Sequence, residues 1–126
     1  MEEKGKMGFI KIYRSIVEWE WYTDIPVRVL FEHCLLKANH TEKRWRGEII
    51  PRGSFITSLE NLSYETGLTV SQVRTALKKL NLTNEIASKG HSSYSVITVN
   101  NYDLFQLNDK QNDKQIANKS QTNRNN

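Results

Sequence analysis

The chain has 126 residues, 37% of them hydrophobic and 25% charged, which suffices for one domain with a real core and is short for two. A net charge of +4, from 18 Lys and Arg against 14 Asp and Glu, is too slight to argue nucleic-acid binding by itself, so the distribution of charge must decide. One cysteine excludes an intramolecular disulfide and fits a reducing cytoplasm, and no run reaches the ~20 apolar residues that a membrane span needs.

Residues 1–8 are charged and short of apolar side chains, which predicts a flexible N-terminus and no signal peptide. Residues 9–107 predict one folded domain. Phe9 to Tyr13 reads as extended, followed by a short helix around Ser15 to Glu18. Trp19, Trp21 and Tyr22 predict core or helix-packing positions; an exposed Trp pair would instead suggest base stacking on a single strand. Pro26 to Asn39 predicts a helix, because Val27, Leu30, Phe31, Cys34, Leu35 and Ala38 recur at i, i+3, i+4, i+7. Pro26 suits its first turn, with Asp24 or Ile25 near the cap. In Gly47 to Ile56, Pro51-Arg52-Gly53 marks a turn between two short apolar runs, a hairpin that can add a strand to a later sheet. Lys43-Arg44-Trp45-Arg46, just upstream, is a local basic cluster, and Trp45 is expected to pack beneath this hairpin.

Thr57 to Leu80 carries the strongest signal. A first helix starts at Thr57 or Ser58, where Thr57 and Glu60 have capping-box spacing. Leu59 and Leu62 share one face, and Gly67 suits a left-handed C-cap. A second helix starts at Thr69, with Gln72 placed to reach back to it. Val70, Val73, Leu77 and Leu80 form its buried stripe. At about 100° per residue, Ser71, Thr75 and Lys79 lie opposite, flanked by Gln72 and Lys78, with Arg74 nearer the edge. This outer face has hydroxyl, amide and cationic groups and no carboxylate to repel phosphate. Two short helices around a Gly turn read as a helix-turn-helix.

Glu85 to Val99 predicts a β-hairpin, since Tyr94 to Val99 is rich in β-branched residues and Lys89-Gly90-His91-Ser92-Ser93 is turn chemistry. The expected fold class is therefore α+β: mainly α with a small antiparallel sheet, a winged helix-turn-helix. Residues 108–126 repeat Asn-Asp-Lys-Gln and hold a single branched aliphatic, Ile116, so they predict a disordered polar linker or tail. That tail supplies four basic and two acidic residues.

Charge is segregated within the domain. Glu18, Glu20, Asp24 and Glu32 fall in the first third, whereas Lys43, Arg44, Arg46, Arg52, Arg74, Lys78, Lys79 and Lys89 fall in the part read as helix-turn-helix and wing. Double-stranded DNA is thus the expected partner. Ser71, Gln72 and Thr75, with Arg74 nearby, are the candidate base readers. Lys78, Lys79, Lys89, His91, Ser92 and Ser93 are candidate phosphate contacts, extended by Arg44, Arg46 and Arg52. No phosphate-cradling loop occurs, His33, His40 and His91 are scattered, and His33 and Cys34 diverge by about 100° on a helix. No enzymatic activity, cofactor, metal or membrane contact is expected.

Gly8-Phe9-Ile10-Lys11-Ile12-Tyr13-Arg14-Ser15-Ile16, Leu35-Leu36-Lys37-Ala38-Asn39, Trp45-Arg46-Gly47, Arg52-Gly53-Ser54, Thr57-Ser58-Leu59, Gly67-Leu68-Thr69, Val73-Arg74-Thr75-Ala76-Leu77 and Ile97-Thr98-Val99-Asn100-Asn101-Tyr102-Asp103 stand in a shared order and spacing. In these, residues 8 to 106 resemble the N-terminal winged-helix domain of phage replisome organisers, the DnaD-like replication-initiation proteins of phages and prophages. The resemblance implies cytoplasmic binding at a replication origin, self-assembly as a homo-oligomer, a closing strand over Ile97 to Asp103, and recruitment of a helicase or helicase loader. Longer members continue into a second, helical domain linked to partner and single-strand contacts, where this chain has its polar tail, so the helicase contact is expected less than DNA binding. A winged-helix transcriptional regulator would use the same contacts at a promoter. A protein-protein interaction module without DNA specificity would use the amino-terminal aromatics for assembly.

Overall fold

The computed structural model describes residues 8–106, so the tail predicted over residues 108–126 and nearly all of the predicted flexible N-terminus lie outside the described residues. After an extended stretch, a 3-10 turn covers Arg14–Glu18. Helix α1, Ile25–Lys37, begins where the Asp24 carboxylate accepts from the Val27 N–H and Pro26 occupies the first turn, where its missing N–H costs no hydrogen bond. Strands β1, Lys43–Trp45, and β2, Glu48–Ile50, then pair as a hairpin in the register Trp45 to Glu48. Arg46 at φ 51° and Gly47 at φ 81° turn it, the left-handed pair that a two-residue hairpin loop requires. The basic cluster is therefore one arm of a hairpin, which its cationic composition did not advertise.

Strand β3, Ser54–Thr57, leads into α2, Leu59–Thr66, and α3, Val70–Leu82, followed by β4, Ile86–Gly90, β5, Ser95–Val99, and α4, Tyr102–Gln106. The described residues thus hold four helices and two small antiparallel sheets, an α+β fold. β5 is central in the three-stranded sheet, which runs β3-β5-β4. Of Gly47 to Ile56, the run before α2 adds a strand to the later hairpin, in the register Phe55 to Ile97, but the expected hairpin around Pro51-Arg52-Gly53 does not form, because β2 pairs with β1 instead of β3.

One core joins these layers. Leu30 and Cys34 of α1, Leu62 of α2, Val73 and Leu80 of α3, Ile86 of β4 and Ile97 of β5 are essentially inaccessible to solvent. Burial of each large aliphatic contributes about 1.5–3 kcal/mol, which fixes α1 and α3 against each other and against the sheet. The indoles of Trp19 and Trp21 sit at the edge of this core, and each N–H is satisfied. Trp21 donates to Thr83 Oγ1 at 2.8 Å and Trp19 to Glu85 Oε2 at 2.9 Å, and Thr83 itself donates to Glu85. They are packing residues, as expected, and they anchor the α3–β4 turn.

Two local expectations are corrected. Ser58, not Thr57, caps α2: its Oγ accepts from the Asn61 N–H at 3.1 Å, while Thr57 is the buried last residue of β3. A sheet partner claims Thr57 before it can cap anything, so no Thr57–Glu60 box forms. The closing strand also stops earlier than Asp103. Asn101 adopts φ 62°, which ends the extended run, and α4 starts at Tyr102.

Candidate nucleic-acid interface

Helix α3 is positioned by a reciprocal cap and a strapped turn. Thr69 Oγ1 accepts from the Gln72 N–H at 3.0 Å, and Gln72 Oε1 accepts from the Thr69 N–H at 2.9 Å. Before it, Gly67 closes α2 at φ 82°. Hydroxyls not anticipated from the sequence tie the turn down: Ser63 Oγ donates to the Leu68 carbonyl at 2.6 Å, and Thr66 Oγ1 accepts from the Leu68 N–H at 3.2 Å. At the far end, Asn81 Nδ2 donates to Ser88 Oγ at 3.1 Å and couples α3 to β4.

With Val73, Ala76 and Leu80 buried, the opposite face of α3 is open. Ser71, Gln72, Arg74, Thr75 and Lys78 are all exposed. Ser71, Thr75 and Lys78 form a ridge at i, i+4, i+7 that continues to Leu82, which is 75% exposed. The helix carries no carboxylate, and among the described residues neither Arg74 nor Lys78 forms an ion pair. Tyr64 on α2 is 90% exposed, an aromatic that the periodicity of that short helix did not single out.

Two residues of the predicted set are engaged elsewhere. Lys79 is half-buried, and its Nζ donates to Asp24 Oδ2 at 2.7 Å with the Trp21 ring beneath it at 5.6 Å. The hydrogen bond from Lys79 is the main reason the Asp24 carboxyl titrates below its ordinary value, against the opposing effect of burial. Lys79 therefore closes the first turn of α1 and is not an open phosphate contact. Arg52 is likewise taken up. Its guanidinium pairs with Asp103, donates to the Gln106 carbonyl at 3.3 Å and lies 5.0 Å from the Tyr102 ring centroid, so it clamps α4. Gln72 stays exposed, but its carbonyl oxygen is committed to the cap, which leaves only its amide N–H groups to offer a base.

The β4–β5 hairpin exposes Lys89, His91, Ser92 and Ser93. Lys89 and Gly90 belong to the ladder, paired with Val96 and Ser95, so the tip is shorter than its composition suggested. The His91 N–H donates to the Tyr94 carbonyl at 2.7 Å across Ser92 and Ser93. That closure sends the His91 and Tyr94 rings off the same face, where they stack at 4.4 Å and 12°. Tyr94 meets Trp45 edge-on at 4.6 Å, and the Arg46 guanidinium covers Trp45 at 4.5 Å. Trp45 thus packs on the tip of the second hairpin. Arg44 is exposed on β1.

No group of three His, Cys, Asp or Glu side chains able to hold a metal occurs among the described residues. Burial pushes the Cys34 thiol up to about 12, far from a thiolate at neutral pH. A cavity of about 560 Å³ lies among the N-terminal arm, Trp19, Phe31 and the α3–β4 turn, with Glu85 held by Trp19 at its rim. No described helix is long and apolar enough to cross a membrane. No family model, curated protein or solved structure matches the chain.

Proposed function

We propose that the domain is a winged helix that binds double-stranded DNA through α3, with the β4–β5 hairpin as its wing. The carrying observation is the open ridge of Ser71, Thr75 and Lys78 beside Arg74, on a helix whose other face is locked into the core and which bears no carboxylate. A rigid helix of this kind, second in a Gly-turned pair, is the shape a major groove admits. The order β3, α2, α3, β4, β5, with β5 pairing back to β3, supports the winged-helix reading. Thr75 and Ser71 are the base readers in this reading; Arg74, Lys78 and the exposed hairpin cations hold phosphates.

Placement at a phage or prophage replication origin, as a cytoplasmic replisome organiser, follows from the resemblance over residues 8 to 106, as do self-assembly and any helicase or loader contact. A promoter-bound regulator would share every contact, so footprinting on the DNA of the protein's own genome separates the two. The test of DNA binding itself is a titration against duplex DNA over a series of salt concentrations. Affinity that falls steeply with salt supports the reading; no binding at low salt overturns it.

A protein-interaction module is favoured by a different observation. Phe9 is 83% exposed and Val17 57% exposed, two apolar side chains left open in the N-terminal segment. Sedimentation that shows assembly without duplex binding would support that reading.

A further inference from the structure

The tips of the two hairpins meet in a ladder of planar groups: Arg46 on Trp45 at 4.5 Å, Trp45 against Tyr94 at 4.6 Å, and Tyr94 stacked on His91 at 4.4 Å. The inner pair, Trp45 and Tyr94, is half-buried, while the two ends, Arg46 and His91, are exposed. His91 lies stacked on Tyr94 at 12°, and the Arg46 guanidinium sits over the Trp45 ring, so each exposed end already has a ring on one side. Lys43 lies two residues before Trp45 on β1 and Lys89 two before His91, so both exposed cations share the ladder's side, whereas Arg44 alternates to the other face of β1. Carboxylates stand close in the chain too, Glu48 opposite Trp45 in the β1–β2 register and Glu42 next to Lys43.

Flat cationic and aromatic groups interleaved in this way suit unpaired bases. In a duplex each base face is already covered by its neighbours, so a stacking surface gains little there. In a single strand the faces are open, and both a guanidinium plane and an imidazole can take a base. Pre-positioning by the inner rings removes most of the rotamer entropy that an exposed Arg would otherwise lose on stacking. We infer that the joined hairpin tips are a second nucleic-acid site, one that stacks unpaired bases on Arg46 and His91 while Lys43 and Lys89 follow the backbone. The inference extends the DNA-binding reading but stands on other residues than α3.

The experiment compares an oligo-dT with an abasic oligonucleotide of the same length and charge, by fluorescence anisotropy with the full chain at one salt concentration. Stacking predicts roughly ten-fold tighter binding of oligo-dT. Combining Arg46→Ala with His91→Ala should erase that preference, and Lys78→Ala should leave it intact. Both changes are at exposed positions, and a thermal melt confirms that the double variant folds; Trp45→Ala serves as a second probe of the ladder's interior. Equal affinity for the two oligonucleotides, or a preference that survives the double variant, overturns the inference. Duplex binding without a dT preference would sink this site alone. A dT preference lost in the double variant, without duplex binding, would support this site and sink the α3 reading.

Discussion

Lys79 Nζ lies 2.7 Å from Asp24 Oδ2, so the last cation of α3 is spent on the first turn of α1, 55 residues away. Its neighbour Lys78, one residue earlier, is exposed and forms no ion pair among the described residues. Adjacent lysines on one helix are thereby given different work. Lys78→Ala should lower the salt slope of duplex binding by about one unit and leave the melting temperature in place. Lys79→Ala should leave the slope nearly unchanged and cost on the order of 0.5–1 kcal/mol of stability, since the pair is partly solvated. Parallel anisotropy titrations and melts check both, and a slope that falls with Lys79→Ala would refute the assignment.

The same pair sets an acid response. The Asp24 carboxyl is held below its unfolded value of 3.8, chiefly by the hydrogen bond from Lys79. Between the two values the unfolded chain binds more protons than the folded one, so stability rises with pH. The contribution is complete above the unfolded value and is lost as pH falls through the lowered folded one. Melts taken downward from about pH 6 should show wild type losing more stability than Lys79→Met over that acidic window. Parallel curves for the two proteins would rule the linkage out.

Gln72 separates capping from recognition. Gln72→Ala removes the bond to the Thr69 N–H and should cost about 0.5–1 kcal/mol, lowering affinity for every duplex alike. Gln72→Glu preserves the cap and places a negative charge at a helix start, where it is favourable, yet it adds repulsion toward phosphate. A melting temperature kept or raised, with weakened duplex binding, is the expected signature. Thr75→Ala should instead change sequence preference, by ~1–3 kcal/mol at one base pair.

Two glycines with the same backbone sign differ in what surrounds them. Gly53 has φ 85°, and a Cβ there would lie 2.9 Å from the Cβ of Tyr102. Gly67 has φ 82° with open space around it. Gly67→Ala should cost about 1 kcal/mol, and Gly67→Asn less, because Asn tolerates the left-handed region. Gly53→Ala should cost about 2 kcal/mol or more, because backbone strain is joined by a clash that only movement of α4 relieves. Denaturant midpoints order the variants, and equal losses would show that α4 yields freely.

What could be read in advance was whatever is local. The rhythm of Val73, Leu77 and Leu80 and the Thr69–Gln72 spacing are written within one or two helical turns, and they sufficed to place α3 and its start. The partners of Lys79 and Arg52 are not local. Asp24 and Asp103 reach them only through the fold, and a lysine destined for an internal carboxylate looks the same in sequence as one left to solvent. The short β1 strand is masked for a related reason: Lys43 and Arg44 lack strand propensity, and the hairpin is held by a turn at Arg46 and by Tyr94 almost 50 residues on. Thr57 shows a local option losing to a distant one, since pairing with Ser95 won over capping.

Strand β5 binds β3 on one side and β4 on the other, and it is the last strand among the described residues. Until residues 95–99 leave the ribosome, β3 and β4 have no common neighbour and the apolar side of α3 has no sheet to rest on. Helix α3 can form its turns and pack on α1 and α2 early, but the sheet of the core closes only once residues 95–99 are free, by long-range pairing that is slow to find. A nascent chain stalled before Tyr94 would therefore hold α3 against α1 and α2 while β3 and β4 still lack the strand that joins them.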